Sequence, residues 1–349
     1  MDFLIHTRGL KKYYAVTGGV FRRKVGDVKA VDDVEVRIQK GETFGVVGES
    51  GCGKTTLGKT LIRLFKPTAG HIYYGAPPEV LEEVDKYEAS DPKSSKLREL
   101  RKQYDIATFG SRKMRQMRKK MQIVYQDPTT SLDPRMLVKD IVAEPLYAQN
   151  LAKGIEIRKR SLEMLQRVGL TERHLYRYPH EFSGGQRQRI AVARALVTEP
   201  EFVVLDEPTS AVDVSVRAQL LNQFQTLQKD FGLTYMFVSH DLSVVECISD
   251  RVGVMYLGKM VELAPTAELY REPLHPYAQA LFSAIPVPDP SRRKKRAPLK
   301  GEVPSPVNPP PGCRFNPRCD KAMDVCRKVE PKLVDVRNGH FVACHLVSQ

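Results

Sequence analysis

A glycine-containing loop in this sequence has the residue types that bind phosphate. Residues 48–55 read GESGCGKT, which fits the pattern G-x-x-x-x-G-K-[ST], and they lie between an apolar run at 43–47 and a predicted helix at 55–65. Glycines let several N–H groups point at one anion, and the helix N-terminus adds partial positive charge. A chance glycine-rich turn is the alternative, and Lys54 with Thr55 in this context disfavours it. The expected phosphate and nucleotide contacts are Gly48, Glu49, Ser50, Gly51, Cys52, Gly53, Lys54, Thr55 and Thr56.

Two carboxylates follow a second apolar run. Asp206 and Glu207 come directly after residues 202–205, which read as a buried strand. The C-terminal end of a parallel strand is where ligands bind in such sheets. We expect Asp206 to hold Mg²⁺ through water, together with the Thr55 hydroxyl, and Glu207 to orient an attacking water. Alone, this pair would be read as an acidic loop, but the phosphate loop favours the catalytic interpretation.

A second anion-binding loop precedes the carboxylate pair by about twenty residues. Ser183, Gly184, Gly185 and Gln186 open a predicted helix at 187–196, where bare backbone N–H groups and a hydroxyl can meet an anion. His240 follows a third apolar strand at 233–238, where its side chain could touch a γ-phosphate. The phosphate loop and this second loop cannot act on the same nucleotide within one chain. The pattern therefore indicates an ATPase that works as a face-to-face dimer.

Taken together, these motifs resemble the nucleotide-binding subunit of an ABC transporter. The resemblance spans residues 1 to about 265 and implies one role for each motif. These roles are Walker A for 48–55, Q-loop for Gln126, signature loop for Ser183–Gln186, Walker B for Asp206, catalytic base for Glu207, D-loop for Ser210–Asp213 and switch for His240. It also implies that Gln126 joins Asp206 and Thr55 around Mg²⁺. One of Tyr13 and Tyr14, with Tyr14 preferred, is expected to stack on adenine.

Further residues resemble the oligopeptide/dipeptide importers within that family. They are Gln126-Asp127-Pro128, Ser131–Met136, His275-Pro276-Tyr277 and the tail run Gly312–Cys319. Gln186 and Cys52 are similar to the F-type subunit of the ATPase pair in such importers. The charged stretch 74–113 is longer than the family pattern leads us to expect.

The order of predicted elements indicates an α/β P-loop fold. We expect an antiparallel lobe from strands at 4–10, 28–38 and 71–74, a parallel-sheet core, and a helical subdomain at about 127–185 with a helical stretch over 137–170. The predicted boundaries are 1–265 for the nucleotide-binding domain, 266–311 for an extension with a proline-rich linker, and 312–349 for a cysteine-containing tail. The tail has too little apolar content for a core of its own.

Composition limits the possible partners. The chain has 349 residues and a formal charge of +14, and we find no apolar run of about 20 residues that would span a membrane. The N-terminus does not read as a secretory signal. Basic clusters at 112–120 and 292–296 lack interleaved aromatics, so nucleic-acid binding ranks below a solvated face or contact with anionic lipid headgroups.

Four of the six cysteines fall in the tail. Cys313, Cys319, Cys326 and Cys344 lack the C-x2-C pairs usual for zinc, and disulfides are disfavoured in a reducing cytoplasm. Four thiolates in a coreless tail suit a [4Fe–4S] cluster or zinc, and the family resemblance points to the cluster. The alternative is a set of small buried apolar side chains. Cys52 and Cys247 lie outside this set.

The resemblance implies a peripheral subunit on the cytoplasmic face of the cell membrane. Its expected partners are a second ATPase subunit, two membrane-spanning permease subunits and an extracytoplasmic substrate-binding protein. A soluble ABC ATPase of translation or DNA repair is the rival class, and the importer-like tail disfavours it. Oligosaccharide or nickel cargo would leave the same ATPase motifs, so peptide cargo rests on the resemblance alone.

Overall fold

The computed structural model describes residues 2–18, 23–210, 212–285 and 301–347. Ala211 of the D-loop and the basic cluster at 292–296 lie outside them. The strands, in chain order, are β1 (Phe3–Gly18), β2 (Arg23–Val34), β3 (Arg37–Gln39), β4 (Thr43–Val47), β5 (Ala69–Tyr74), β6 (Met121–Val124), β7 (Phe202–Asp206), β8 (Thr234–Val238), β9 (Arg251–Tyr256), β10 (Lys259–Pro265), β11 (Val334–Arg337) and β12 (His340–Val342).

Between β7 and β9 the helices alternate with the strands, as the sequence pattern predicts for a parallel sheet. The helices, in chain order, are α1 (Lys54–Leu61), α2 (Pro78–Ser90), α3 (Ser95–Tyr104), α4 (Ser111–Met117), α5 (Pro128–Ser131), α6 (Val138–Ala148), α7 (Ile155–Arg167), α8 (Gly184–Leu196), α9 (Val214–Phe231), α10 (Leu242–Ile248), α11 (Thr266–Arg271) and α12 (Pro276–Ser283). No described helix is long and apolar enough to cross a membrane.

The chain folds into two compact units that interleave along the sequence. The first unit is Tyr74–Val238 with the short segments Met1–Leu4 and Ile38–Glu42. Within it, β6, β7 and β8 run parallel, with Met121 opposite Phe202 and Phe202 opposite Thr234. Every residue of β7 and β8 is buried. Both strands are therefore fixed in register by apolar burial on two faces, which fixes the point where each strand ends.

The second unit is Ile5–Arg37, Thr43–Tyr73 and Ser239–Gln349. In it, β4 pairs parallel with β9, which pairs antiparallel with β10. The tail hairpin of β11 and β12 extends this sheet, because β12 pairs antiparallel with β10. A separate antiparallel pair, β1 with β2, begins near Leu10 and Val34.

One predicted element ends earlier than expected and two are interrupted, each near a non-glycine residue in the left-handed region. The helix predicted at 55–65 ends at Leu61, before Arg63 (φ 57°), and the strand predicted at 28–38 breaks between β2 and β3, next to Asp33 (φ 57°). The helical stretch predicted at 137–170 is two helices, because Asn150 and Gly154 (φ 52° and 54°) turn the chain between α6 and α7. Hydrophobic periodicity does not signal such turns, although Asn150 and Gly154 are residue types that adopt positive φ readily.

The charged stretch 74–113 forms helices rather than an irregular loop. It contributes α2, α3 and the start of α4 to the first unit. Leu81 and Val84 of α2, with Leu97 and Leu100 of α3, form its buried face. These positions recur at helical spacing, so the stretch forms amphipathic helices with their charged residues outward.

Candidate functional site

The phosphate loop lies in the second unit, between β4 and α1. Gly48 has φ 148°, and a Cβ there would lie 2.2 Å from the Met255 carbonyl oxygen. Gly53 has φ 109°, and a Cβ there would lie 2.0 Å from the Ala30 carbonyl oxygen. Both positions therefore require glycine, because the loop packs backbone to backbone against its neighbours. The sequence predicts this loop, and the structure shows what makes its glycines necessary.

Lys54 opens α1 and turns back into the loop. Its side chain is buried, and Nζ donates to the carbonyl oxygens of Gly48 at 2.7 Å and Glu49 at 3.1 Å. The ammonium therefore lies inside the curve of backbone that the loop forms. Burial raises the pKa of the neighbouring Cys52 thiol, which stays neutral. Cys52 consequently offers no thiolate chemistry here.

Two more predicted contacts belong to the same unit. Tyr14 is 36% exposed, its ring meets Phe65 edge-on at 6.0 Å, and Lys12 Nζ lies 4.9 Å from the ring centre. The Tyr13 hydroxyl instead donates to Asp32. Tyr14 thus presents the more available ring of the two, although its stacking on adenine stays a prediction.

His240 is exposed and lies two residues after the end of β8. The N–H of the preceding Ser239 donates to the Val46 carbonyl oxygen at 3.4 Å. Val46 lies two residues before Gly48, so His240 is placed on the side of the phosphate loop where β4 ends. The contact of its imidazole with a γ-phosphate stays a prediction.

The first unit brings together a second group of predicted residues. Gln126 Nε2 donates to Glu207 Oε2 at 3.0 Å, and the Glu207 N–H donates to the Val238 carbonyl oxygen at 2.9 Å. Glu207 has φ 48°, a conformation that is costly for a residue with a side chain and is often held at functional sites. Asp206, only 2% exposed, ends β7 just before it. These oxygen donors are of the kind that Mg²⁺ prefers.

The signature loop also belongs to the first unit. Ser183 Oγ accepts from the Gln186 N–H at 3.4 Å, while the Ser183 N–H donates to Gln186 Oε1 at 3.1 Å. This capping box fixes the start of α8. Ser183, Gly185 and Gln186 line a cavity of about 300 Å³ that Asp213 also lines. The predicted signature and D-loop residues therefore share one cavity.

The tail cysteines influence one another without forming a metal site. Burial raises the pKa of Cys313 to about 11, with a further increase from Cys326, Cys344 and Cys319, and burial also raises the pKa of Cys319 and Cys344. In the described ranges, no three or more His, Cys, Asp or Glu side chains form a group that could hold a metal ion. The structure therefore does not support the predicted iron–sulfur cluster or zinc site.

Sequence reasoning missed two residues beside the phosphate loop. The Tyr277 hydroxyl accepts from the Glu49 N–H at 2.8 Å, and Arg318 of the tail forms an ion pair with the Glu49 carboxylate. Both residues occur in runs that resemble the importer family, His275-Pro276-Tyr277 and Gly312–Cys319. The motifs that contain Tyr277 and Arg318 were thus recognisable in the sequence. Their contact with Glu49, which lies 228 and 269 residues away, was not.

Comparisons with known proteins agree with these observations. Residues 31–210 match the ABC transporter family, and residues 261–326 match the family described as the oligopeptide/dipeptide transporter C-terminal region. The chain belongs to the ABC transporter ATP-binding proteins of the oligopeptide/dipeptide type. It is therefore an ATPase. The family resemblance predicted from the sequence motifs is confirmed.

Individual relatives match along nearly the whole chain. The chain is 49% identical to the oligopeptide transport ATP-binding protein AppF of Bacillus subtilis (strain 168), covering 99% of this chain and 98% of AppF. It is 46% identical to the dipeptide transport ATP-binding protein DppF of Haemophilus influenzae, covering 98% and 96%. The solved dimeric structure of MJ0796, a bacterial ABC transporter cassette, matches with a TM-score of 0.60 at 25% identity over 75% of this chain and 98% of that one. The predicted fold class is thereby confirmed.

Proposed function

We propose that this chain hydrolyses ATP to energise the import of oligopeptides or dipeptides. The observation that carries the catalytic part is the contact between Gln126 and Glu207, which places an amide against a carboxylate held at the end of a buried strand. The cargo rests on similarity to AppF and DppF over almost the full length, tail included.

ATP would bind to Tyr14 and the phosphate loop, with Lys54 on the β- and γ-phosphates. Thr55, Gln126 and Asp206 would hold Mg²⁺, which neutralises phosphate charge when bound. Glu207 would orient and polarise the attacking water, and His240 would contact the γ-phosphate. These roles follow the family pattern at matching positions, and the buried Lys54 and the strand-end position of Glu207 support them.

A second ATPase subunit would complete each site. Ser183–Gln186 and Asp213 would close over the partner's ATP, while the partner's signature loop would close over the ATP bound here. Support comes from the cavity that Ser183, Gly185, Gln186 and Asp213 line at the start of α8. The dimer reported for the MJ0796 cassette shows that this fold can associate in pairs.

The remaining partners would be two permease subunits and an extracytoplasmic substrate-binding protein. The subunit would then lie peripherally on the cytoplasmic face of the membrane. Within it, we place the nucleotide-binding domain at 1–265 and its helical subdomain at about 127–185, with the extension at 266–311 and the tail at 312–349. Gln126 would report the state of the γ-phosphate to the helical subdomain, which would contact the permease.

Glu207→Gln tests the catalytic assignment. We expect hydrolysis by the assembled complex to fall at least about hundredfold, because the amide cannot polarise the water, while ATP binding persists. Radiolabelled ATP should be retained in a stable closed complex. A variant that hydrolyses ATP at the wild-type rate would remove Glu207 from the mechanism.

The cargo assignment needs the reconstituted transporter with its permease subunits and binding protein. We expect peptides to stimulate ATP hydrolysis, and oligosaccharides or nickel to leave it at the basal rate. Stimulation by sugars or nickel alone would keep the ATPase assignment and overturn the peptide cargo. Co-purification with ribosomes or DNA instead of membrane subunits would point to the soluble class.

A further inference from the structure

The phosphate loop contains a carboxylate that the binding of a triphosphate does not require. Glu49 lies between Gly48 and Ser50, in the stretch of backbone that is expected to surround the phosphates. A negative charge at this place repels a triphosphate unless a cation compensates for it. Lys54 does not contact this carboxylate in the structure, since its Nζ donates to the backbone carbonyl oxygens of Gly48 and Glu49.

Arg318 supplies the compensating charge. Its two terminal nitrogens donate to both Glu49 carboxylate oxygens, at 2.7 and 3.1 Å, in a bidentate pair. The guanidinium is 5% exposed, and it also lies against the rings of Tyr256 and Phe315, 5.8 and 6.0 Å from their centres. Hydrogen bonding to Glu49 raises the pKa of Arg318, so it stays charged. Such a fork is geometrically selective and strong when sheltered from water.

Every polar group of Glu49 is held at once. The N–H donates to the Tyr277 hydroxyl at 2.8 Å, the carbonyl oxygen accepts from Lys54, and the carboxylate is paired with Arg318. The rings of Tyr277 and Phe315 lie 5.4 Å apart and form part of the surroundings of this pair. The loop conformation at position 49 is therefore set by α12 and by the tail, both more than 220 residues away in sequence.

A second arginine of the tail holds the neighbouring backbone. Arg314 donates to Asp32 and to the Leu257 carbonyl oxygen, and it is buried. Gly258, which follows Leu257 in the chain, donates its N–H to the Cys52 carbonyl oxygen of the phosphate loop at 2.8 Å. The two tail arginines thus reach the loop at two points, one directly and one through the turn between β9 and β10.

We propose that Arg318 is a positioning residue for ATP, which holds Glu49 of the phosphate loop in place and neutralises its charge. The tail would in this way be part of the nucleotide site rather than an appendage to it. This inference rests on the proposed binding of ATP to the phosphate loop. It predicts that substitutions of the two partners change ATP affinity in opposite directions. Removing the arginine leaves a negative charge in the loop, and removing the carboxylate leaves a positive one.

The test measures ATP affinity of the purified full-length chain by isothermal titration calorimetry. We expect Arg318→Gln to weaken ATP binding about tenfold and Glu49→Gln to tighten it about threefold, with the double variant close to wild type. The increase in ATP affinity of the Glu49→Gln variant should become smaller as salt is added. Arg337→Gln is the matched control, because Arg337 of the same tail pairs with Glu272, which is not a phosphate-loop residue, and this variant should bind ATP like wild type.

Two results would overturn the inference. A purely structural ion pair would weaken binding in both single variants, since each breaks the same contact. Unchanged affinity in Glu49→Gln would show that the charge does not matter, and this variant decides the question if Arg318→Gln does not fold. Failure of the wild-type chain to bind ATP would instead reject the proposed function, so the two failures are distinguishable.

Discussion

The phosphate loop and the signature loop are both glycine-containing turns that open a helix, but the chain supports them in different ways. In the phosphate loop, the buried cation of Lys54 lies among backbone carbonyls, and Glu49 is held by residues from α12 and the tail. In the signature loop, Ser183 and Gln186 cap each other, and Ser183 is exposed. One loop carries a charge for phosphate, while the other offers neutral donors.

This difference indicates an order of events. A loop with a fixed cation can bind a nucleotide within its own chain, because charge-assisted hydrogen bonds supply most of the affinity. A loop with neutral donors at a helix N-terminus contributes less on its own and more after another chain has fixed the nucleotide. Substitutions in the two loops should therefore affect different measured quantities.

Lys54→Ala should have the largest effect. Losing the ammonium removes about 3 kcal/mol of charge-assisted hydrogen bonding, which corresponds to roughly a hundredfold weaker binding of ATP to the isolated chain. Titration calorimetry on the purified chain measures this. If the variant binds ATP as tightly as wild type, the phosphate loop does not bind the nucleotide through its fixed cation, and the proposed difference between the two loops is wrong.

Ser183→Ala should change turnover without changing the affinity of the isolated chain. We expect hydrolysis by the assembled complex to fall about tenfold, because one hydroxyl donor to the partner's nucleotide is lost. ATP affinity of the isolated subunit should stay at the wild-type value. An equal loss in isolated-chain affinity would mean that this loop serves the same chain's nucleotide, which would reject the proposed pairing.

His340 gives the smallest effect and tests how the tail is attached. It is fully buried, with Nε2 2.7 Å from Glu262 Oε1 and Nδ1 3.2 Å from Glu268 Oε1. Burial alone would lower the pKa of His340, but the hydrogen bonds to these carboxylates outweigh it and raise the pKa. The folded protein therefore favours the charged form of His340 more than the unfolded chain does.

The sign of the pH dependence follows from that raised pKa. Stabilisation by His340 is complete below the unfolded pKa, about 6.5, and is lost as pH rises through the higher folded value. Wild type should therefore lose more unfolding free energy than His340→Gln over this rise. Urea denaturation at several pH values measures it. An identical slope in His340→Gln would show that the imidazole does not titrate here.

Local motifs were predictable because their function depends on neighbouring residues. Residues 48–55 and 183–186 each form one turn and one helix start, so their spacing alone indicates their chemistry. The tail was predicted less well. Four cysteines close in sequence suggested a metal centre, but in the described part of the chain they form no group that could hold a metal ion.

The sequence by itself determined the family and the fold class and predicted the residues of the phosphate and signature loops, because each depends on short-range order of residue types. Tertiary structure decided that Glu49 pairs with Arg318, that Gln126 meets Glu207, and that the tail hairpin joins β10. These contacts link residues separated by 269, 81 and about 80 positions. No local periodicity encodes them, since they exist only after burial of the strands has fixed which chain segments become neighbours.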